Sequence, residues 1–94
     1  MEDKSIEVWK YTYLTDNYEV SNFGNIRKSS SKKLLKPYLK PNGFLGVTLS
    51  IDNVKYYKIV HRIVCKTFIK DFDNSYVYNK DNNKLNNNLN NLNY

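Results

Sequence analysis

The middle of the chain shows the clearest alternation of apolar and polar residues. From residue 45 to residue 51, large aliphatic residues alternate with glycine, threonine and serine, which predicts a strand with one buried face. A turn at Asp52-Asn53 then leads into residues 54–60, which are rich in valine, tyrosine and isoleucine. With residues 38–40 placed before the turn at Pro41-Asn42-Gly43, the pattern predicts a small antiparallel meander.

Helical spacing replaces this alternation after residue 59. Val60, Val64 and Phe68 recur every four residues, which predicts a helix of about two turns that packs on the meander. Lys70-Asp71 is expected to end this helix.

Short strands are also predicted before the meander. Residues 7–11 and Tyr18–Ser21 have the aromatic and β-branched content of strands, and Trp9 is expected to anchor the core. Gly24, in the turn of residues 22–25, is free to adopt a positive φ and to return the chain into a third strand, Ile26–Lys28. Residues 29–33 then form a polar, flexible loop.

Nine asparagines among residues 79–93 allow two interpretations. Such a composition is typical of low-complexity sequence that stays disordered. Against that, Leu85, Leu89 and Leu92 have helical spacing, which predicts a short helix that docks three leucines on the sheet. The whole pattern indicates an α+β fold, a small antiparallel β-meander with one or two short helices.

The positive charge is concentrated in one part of the chain. The net charge is +6, and residues 25–66 carry ten basic side chains against one acidic one. Such a block suits a polyanion such as nucleic acid, but a solvated surface that keeps the protein soluble explains it equally well. Tyr38 and Tyr56 lie in the same stretch and are candidates for stacking on DNA. The candidate DNA-binding residues are Arg27, Lys28, Lys32, Lys33, Lys36, Lys40, Lys55, Lys58 and Arg62.

Length and composition indicate one small intracellular domain. The 94 residues leave room for one modest core. The single cysteine, Cys65, lies among apolar residues and is expected to be a buried, reduced thiol. No apolar run is long enough for a membrane span, and residues 1–4 lack the features of a signal peptide. The protein is therefore expected in the cytoplasm or nucleus, where its DNA would be.

Several stretches along nearly the whole chain carry a family resemblance. Residues 7–10 read Glu-Val-Trp-Lys, and residues 18–27 read Tyr-Glu-Val-Ser-Asn-Phe-Gly-Asn-Ile-Arg. They resemble the modular DNA-binding motif that often precedes HNH domains in phage and viral homing endonucleases. Residues 35–39, 60–64 and 67–69 continue in the order found in that family. The resemblance implies a nuclease-associated modular motif over residues 1–40 and an HNH-like region over residues 41–94, within one compact unit.

The resemblance also implies where a nuclease centre would lie. In this family a ββα-metal motif places an Asp or Asn and then a His on its first strand; one divalent ion stabilises the phosphate charge and the histidine accepts a proton from water. The family's loop pattern over residues 81–92 assigns Tyr78 and Asn79 to the paired positions. A phenol is a poor ligand for a hard cation at neutral pH, and an amide is not a base. Because the chain ends at Tyr94, the motif is also expected to be incomplete.

His61 and Asp81 are the other candidates for this chemistry. His61, at the start of the predicted helix, is expected to make a hydrogen bond at the helix entry or core edge rather than to act in catalysis. Asp81 is a weak metal candidate because spaced histidine or cysteine partners are lacking. No cofactor is therefore expected.

The sequence predicts a catalytically inactive HNH relative that binds double-stranded DNA. Two alternatives stay open: an active nicking endonuclease that requires Mg²⁺ or Mn²⁺, and a regulatory module that binds another protein through its tyrosine-rich surface.

Overall fold

Two small antiparallel sheets enclose one helix, and a short hairpin follows them. The computed structural model describes residues 6–73 and 76–94. Residues 1–4, for which the sequence predicts no signal peptide, lie outside the described residues. No helix among the described residues is long and apolar enough to cross a membrane. The elements are β1 (Trp9–Tyr11), β2 (Tyr18–Ser21), β3 (Ile26–Lys28), β4 (Tyr38–Leu39), β5 (Leu45–Ile51), β6 (Val54–Ile59), α1 (Val60–Phe68), β7 (Tyr78–Asn79), a 3₁₀ turn (Leu89–Asn91) and β8 (Leu92–Asn93).

The first sheet has the order β1-β2-β3 and confirms the strands expected before the meander. Its β2–β3 turn is held by two buried polar side chains. The Ser21 hydroxyl accepts from the backbone N–H groups of Phe23 and Asn25, both at 3.2 Å. The Asn22 side chain accepts from the N–H of Val8 at 2.7 Å and donates to the carbonyl of Ile6 at 3.1 Å. This turn therefore also fixes the chain that enters β1.

Trp9 does not anchor the core, so that prediction was wrong. Its indole is only partly buried, and the guanidinium of Arg27 lies 3.8 Å from the ring centroid. Strand pairing explains the contact. Trp9 on β1 pairs with Ser21 of β2, and Arg27 on β3 pairs with Glu19 of β2. Because Glu19 and Ser21 are two residues apart, all four side chains lie on the same face of the sheet. The tryptophan thus stacks on a cation at the sheet surface.

The second sheet is the predicted meander, with the order β4-β5-β6. Asp52 and Asn53 form its tight turn with φ of 52° and 66°, left-handed values that two-residue hairpin turns favour. Val47 and Leu49 point from β5 into the core and are at most 2% exposed, as the alternation predicted. The Tyr18 hydroxyl accepts from the backbone N–H of Ser50 at 3.0 Å and so joins the two sheets.

Helix α1 closes the core between the sheets. Val60, Ile63 and Val64 are at most 2% exposed and pack with the inward residues of β2 and β5. Cys65 is buried, as predicted, and burial raises the pKa of its thiol to about 11. This thiol is therefore protonated at neutral pH.

The asparagine-rich segment does not form the predicted helix. Only a 3₁₀ turn at Leu89–Asn91 is present; Leu92 is buried in β8, while Leu85 is 54% exposed. The asparagine side chains bind backbone N–H groups two residues further on: Asn83 binds Leu85 at 3.0 Å, and Asn88 binds Asn90 at 3.2 Å. Such local hydrogen bonds compete with helical ones, which is why leucine spacing alone misled the prediction.

Candidate functional site

Hairpin β7–β8 holds the two residues assigned to the nuclease positions. Tyr78 pairs with Asn93, and Asn79 pairs with Leu92. Alternation along β7 turns Tyr78 outward, where it is 58% exposed, and turns Asn79 inward, where it is 8% exposed. The two side chains therefore point to opposite faces of the hairpin.

The buried Asn79 side chain braces the loop of residues 80–91. Its Nδ2 donates to the carbonyl oxygen of Asn86 at 2.9 Å, and the Nδ2 of Asn91 donates to the same oxygen at 3.0 Å. An amide at this position thus has a structural partner. It has no basic nitrogen that could accept a proton from water at neutral pH.

Asp81 organises the same loop. Its Oδ1 accepts from the N–H of Asn83 at 2.8 Å and from the Nδ2 of Asn91 at 3.0 Å, while its Oδ2 accepts from the Nδ2 of Asn86 at 2.8 Å. These hydrogen bonds, that from Asn86 foremost, hold the pKa of this carboxyl below its usual range. Both oxygens are therefore already engaged by the loop.

The described residues do not fit the metal ion that a nuclease centre of this kind uses. Among residues 6–73 and 76–94, no three His, Cys, Asp or Glu side chains lie close enough together to hold one. Tyr78 offers a phenol in place of the carboxylate or amide ligand, and Asn79 offers an amide in place of the histidine base. No chemical step through a metal can be built from these side chains.

His61 is a neutral residue of the core edge. It is 5% exposed in α1, and its ring meets the Phe44 ring edge-on at 4.8 Å. Burial, followed by the charge of Arg62, lowers the pKa of His61 to about 4. The predicted hydrogen bond is not made by Nδ1, which has no partner among the described residues.

Arg27 and Lys32, two of the candidate DNA-binding residues, share one carboxylate. The Oε1 of Glu19 lies 2.8 Å from the Nε of Arg27 and 3.0 Å from the Nζ of Lys32. Hydrogen bonds from Arg27 and then Lys32 lower the pKa of Glu19, so the carboxylate is ionised at neutral pH. One carboxylate therefore offsets one of the two positive charges of Arg27 and Lys32.

Lys58 and Arg62 line a groove between β6 and α1. The groove has a volume of about 210 Å³, and Tyr13 and Tyr57 form part of its walls. Lys66, which was not among the predicted site residues, also lines it, with its Nζ 5.0 Å from the Tyr13 ring centroid. The four-residue spacing of Arg62 and Lys66 within the predicted helix was the available sequence signal for Lys66.

The remaining candidates are spread over other surfaces. Lys40 is partly buried, and the exposed ones are Lys28, Lys33, Lys36 and Lys55. Tyr38 and Tyr56, the stacking candidates, lie on opposite faces of the second sheet, because Tyr38 is opposite Gly46 while Tyr56 is opposite Leu49.

Comparisons with known proteins agree on one family. Residues 6–50 match the NUMOD4 motif. Two uncharacterized HNH endonucleases of Acanthamoeba polyphaga mimivirus, L245 and L247, are 47% and 33% identical over 67% and 74% of this chain. The chain spans only 19% and 18% of these two relatives. A solved structure described as DNA binding and cleavage by the HNH homing endonuclease I-HmuI matches 90% of this chain and 50% of its own, with a TM-score of 0.81 and 31% identity.

Proposed function

The chain belongs to the HNH endonuclease family with an N-terminal NUMOD4 motif, and from that membership we propose that it binds double-stranded DNA without cutting it. The observation that carries the second half of this proposal is the buried Asn79 amide. It occupies the position assigned to the family's general base, and its donor is used by the Asn86 carbonyl. The hairpin thus keeps its braced loop while lacking a group that can activate water.

The missing base and the missing metal ligand each support the proposal that the chain does not cut DNA, for different chemical reasons. A missing general base costs roughly two to four powers of ten in rate. Replacing the first ligand with the exposed phenol of Tyr78 removes a carboxylate or amide that would hold a hard cation. Residues 6–73 and 76–94 supply no substitute cluster of acidic or histidine ligands.

The groove of Lys58, Arg62 and Lys66 is the best candidate for the phosphate backbone. Arg62 and Lys66 are four residues apart in α1 and therefore lie on one side of the helix, while Lys58 lines the same groove from β6. Three cations that line one groove can contact a phosphate backbone together, and each phosphate neutralised releases counterions. Arg27 and Lys32 are expected to contribute less than Lys58 and Lys66, since Glu19 already offsets part of their charge.

Titration of a fluorescent DNA duplex over a range of salt concentrations tests the binding half. The wild type is expected to bind with an affinity that falls steeply with salt. Lys66→Ala is expected to reduce the slope of log K against log salt by about 1. Lys70→Ala is the matched control, because Lys70 is exposed and lies outside the groove. Absent or salt-independent binding by the wild type would refute the proposal.

A nicking assay on supercoiled plasmid tests the other half. The wild type is incubated with Mg²⁺ or Mn²⁺, beside an EDTA control and the Asn79→His variant. We expect no nicking by the wild type. Metal-dependent nicking by the wild type would overturn the assignment of Tyr78 and Asn79 as degenerate positions.

A further inference from the structure

A cleft beside hairpin β7–β8 is lined by aromatic rings. Its volume is about 140 Å³, and Phe44, Tyr76 and Tyr78 form part of its wall. Tyr76 is 67% exposed and Tyr78 is 58% exposed. Their ring centroids are 4.7 Å apart with the planes tilted by 58°. These two rings form an aromatic surface that the core does not use.

Lys84 places a fixed cation at the same cleft. Its Nζ donates to the carbonyl of Asn42 at 2.9 Å and lies 4.8 Å from the centroid of the Phe44 ring. Two contacts therefore hold a flexible side chain in place, and an ammonium has three donors, so protons remain for an anion. The amides of Asn79 and Asn82 line the cleft as well.

We propose that this cleft receives one unpaired nucleotide of the bound DNA, with its base against Tyr76 and Tyr78 and a phosphate against Lys84. The proposal rests on the proposed DNA binding. Aromatic side chains stack on bases of any sequence, and amides can bind base edges. The small volume suits a single base. Inside a duplex the neighbouring base pairs cover both faces of each base, so only a nucleotide outside the stack can enter.

Two fluorescent duplexes test this proposal, one fully paired and one carrying a single unpaired 2-aminopurine. The wild type is expected to bind the second duplex at least about five-fold more tightly and to quench its 2-aminopurine emission, since one stacked base contributes about five- to hundred-fold in affinity. Tyr78→Leu and Tyr76→Leu are each expected to reduce both the preference and the quenching. Lys84→Gln is expected to weaken binding of the bulged duplex.

Tyr11→Leu is the matched control, because Tyr11 is 55% exposed and lies outside the cleft on β1. It should keep the wild-type preference, and circular dichroism should show all four variants folded. Equal affinity of the wild type for the two duplexes, or a Tyr78→Leu variant that keeps the preference and the quenching, would overturn this proposal alone. Failure to bind either duplex would instead refute the proposed DNA binding and this inference with it.

Discussion

Gly24 is the position where a single methyl group should disturb the contact between the β2–β3 turn and the hairpin loop. Gly24 has a φ of +90°, and a Cβ built there would lie 2.8 Å from both the Cβ and the carbonyl oxygen of Asn87. The backbone oxygen cannot rotate away as a side chain would. The N–H of Leu89 also donates to the carbonyl of Asn22 at 2.7 Å, which keeps the loop against the turn. The expected response to Gly24→Ala is a displaced loop.

Gly43→Ala isolates the steric part of that response. Gly43 has a φ of +88°, but a Cβ there would meet only the flexible Lys84 side chain, 3.1 Å away at Cδ. The positive φ costs about 1–2 kcal/mol in each variant. The clash with Asn87 adds about 1–3 kcal/mol in Gly24→Ala alone, as other overpacking substitutions do.

Thermal and urea unfolding measure the two costs side by side. For a domain of this size, 1 kcal/mol corresponds to about 4–8 °C in Tm. Gly24→Ala is therefore expected to unfold about 4–24 °C below Gly43→Ala. Equal Tm values for the two variants would show that the loop is not packed on the turn, and the reasoning would fail.

Three further predictions concern the charged and buried polar groups. Glu19→Gln should release Arg27 and Lys32 from their shared carboxylate. DNA titrations are expected to show tighter binding and a slope of log K against log salt that is steeper by about 1. An unchanged slope would contradict this prediction. Asn79→Ala should remove one of two donors from the Asn86 carbonyl and cost about 1–2 kcal/mol in urea unfolding, whereas an unchanged midpoint would leave no bracing role for the amide. The pKa of His61 is lowered from 6.5 to about 4 in the folded protein, so between these values the unfolded chain binds more protons than the folded one. The free energy of unfolding should therefore decrease by up to about 3 kcal/mol as the pH is lowered from about 6.5 to about 4, and His61→Leu should flatten this part of the urea-unfolding profile.

The strands that show a regular alternation of apolar and polar residues, and the tight turns that join them, were predictable from the sequence. The alternation over Leu45–Ile51 gave the buried face of β5, and the Asp52-Asn53 turn gave its partner strand. The pairing of Glu19 with Arg27 follows from the same hairpin logic, because the turn at residues 22–25 sets Val20 opposite Ile26 and thus Glu19 opposite Arg27. The ion pair between Glu19 and Arg27 was not predicted, because the distribution of charge along the chain does not show which residues face each other across paired strands.

The errors have a different origin, since they depend on contacts that periodicity does not encode. Trp9 stacks on the guanidinium of Arg27 at the sheet surface and does not pack into the core. The leucine spacing of residues 85–92 was outweighed by asparagine side chains that bind their own backbone. Lys84, the cation of the aromatic cleft, had no signal at all, because its contacts with Asn42 and Phe44 join distant parts of the chain.

The contact between Gly24 and Asn87 limits how the segment of residues 6–50 can be combined with other downstream sequences. The stretch that matches the NUMOD4 motif, residues 6–50, includes Gly24, but the atoms that leave no room for a side chain there belong to the hairpin loop. A recombination event that joined this motif to a different downstream region would have to bring a loop that fits the same turn. The packing of Asn87 against Gly24 therefore restricts which loops this motif can be joined to.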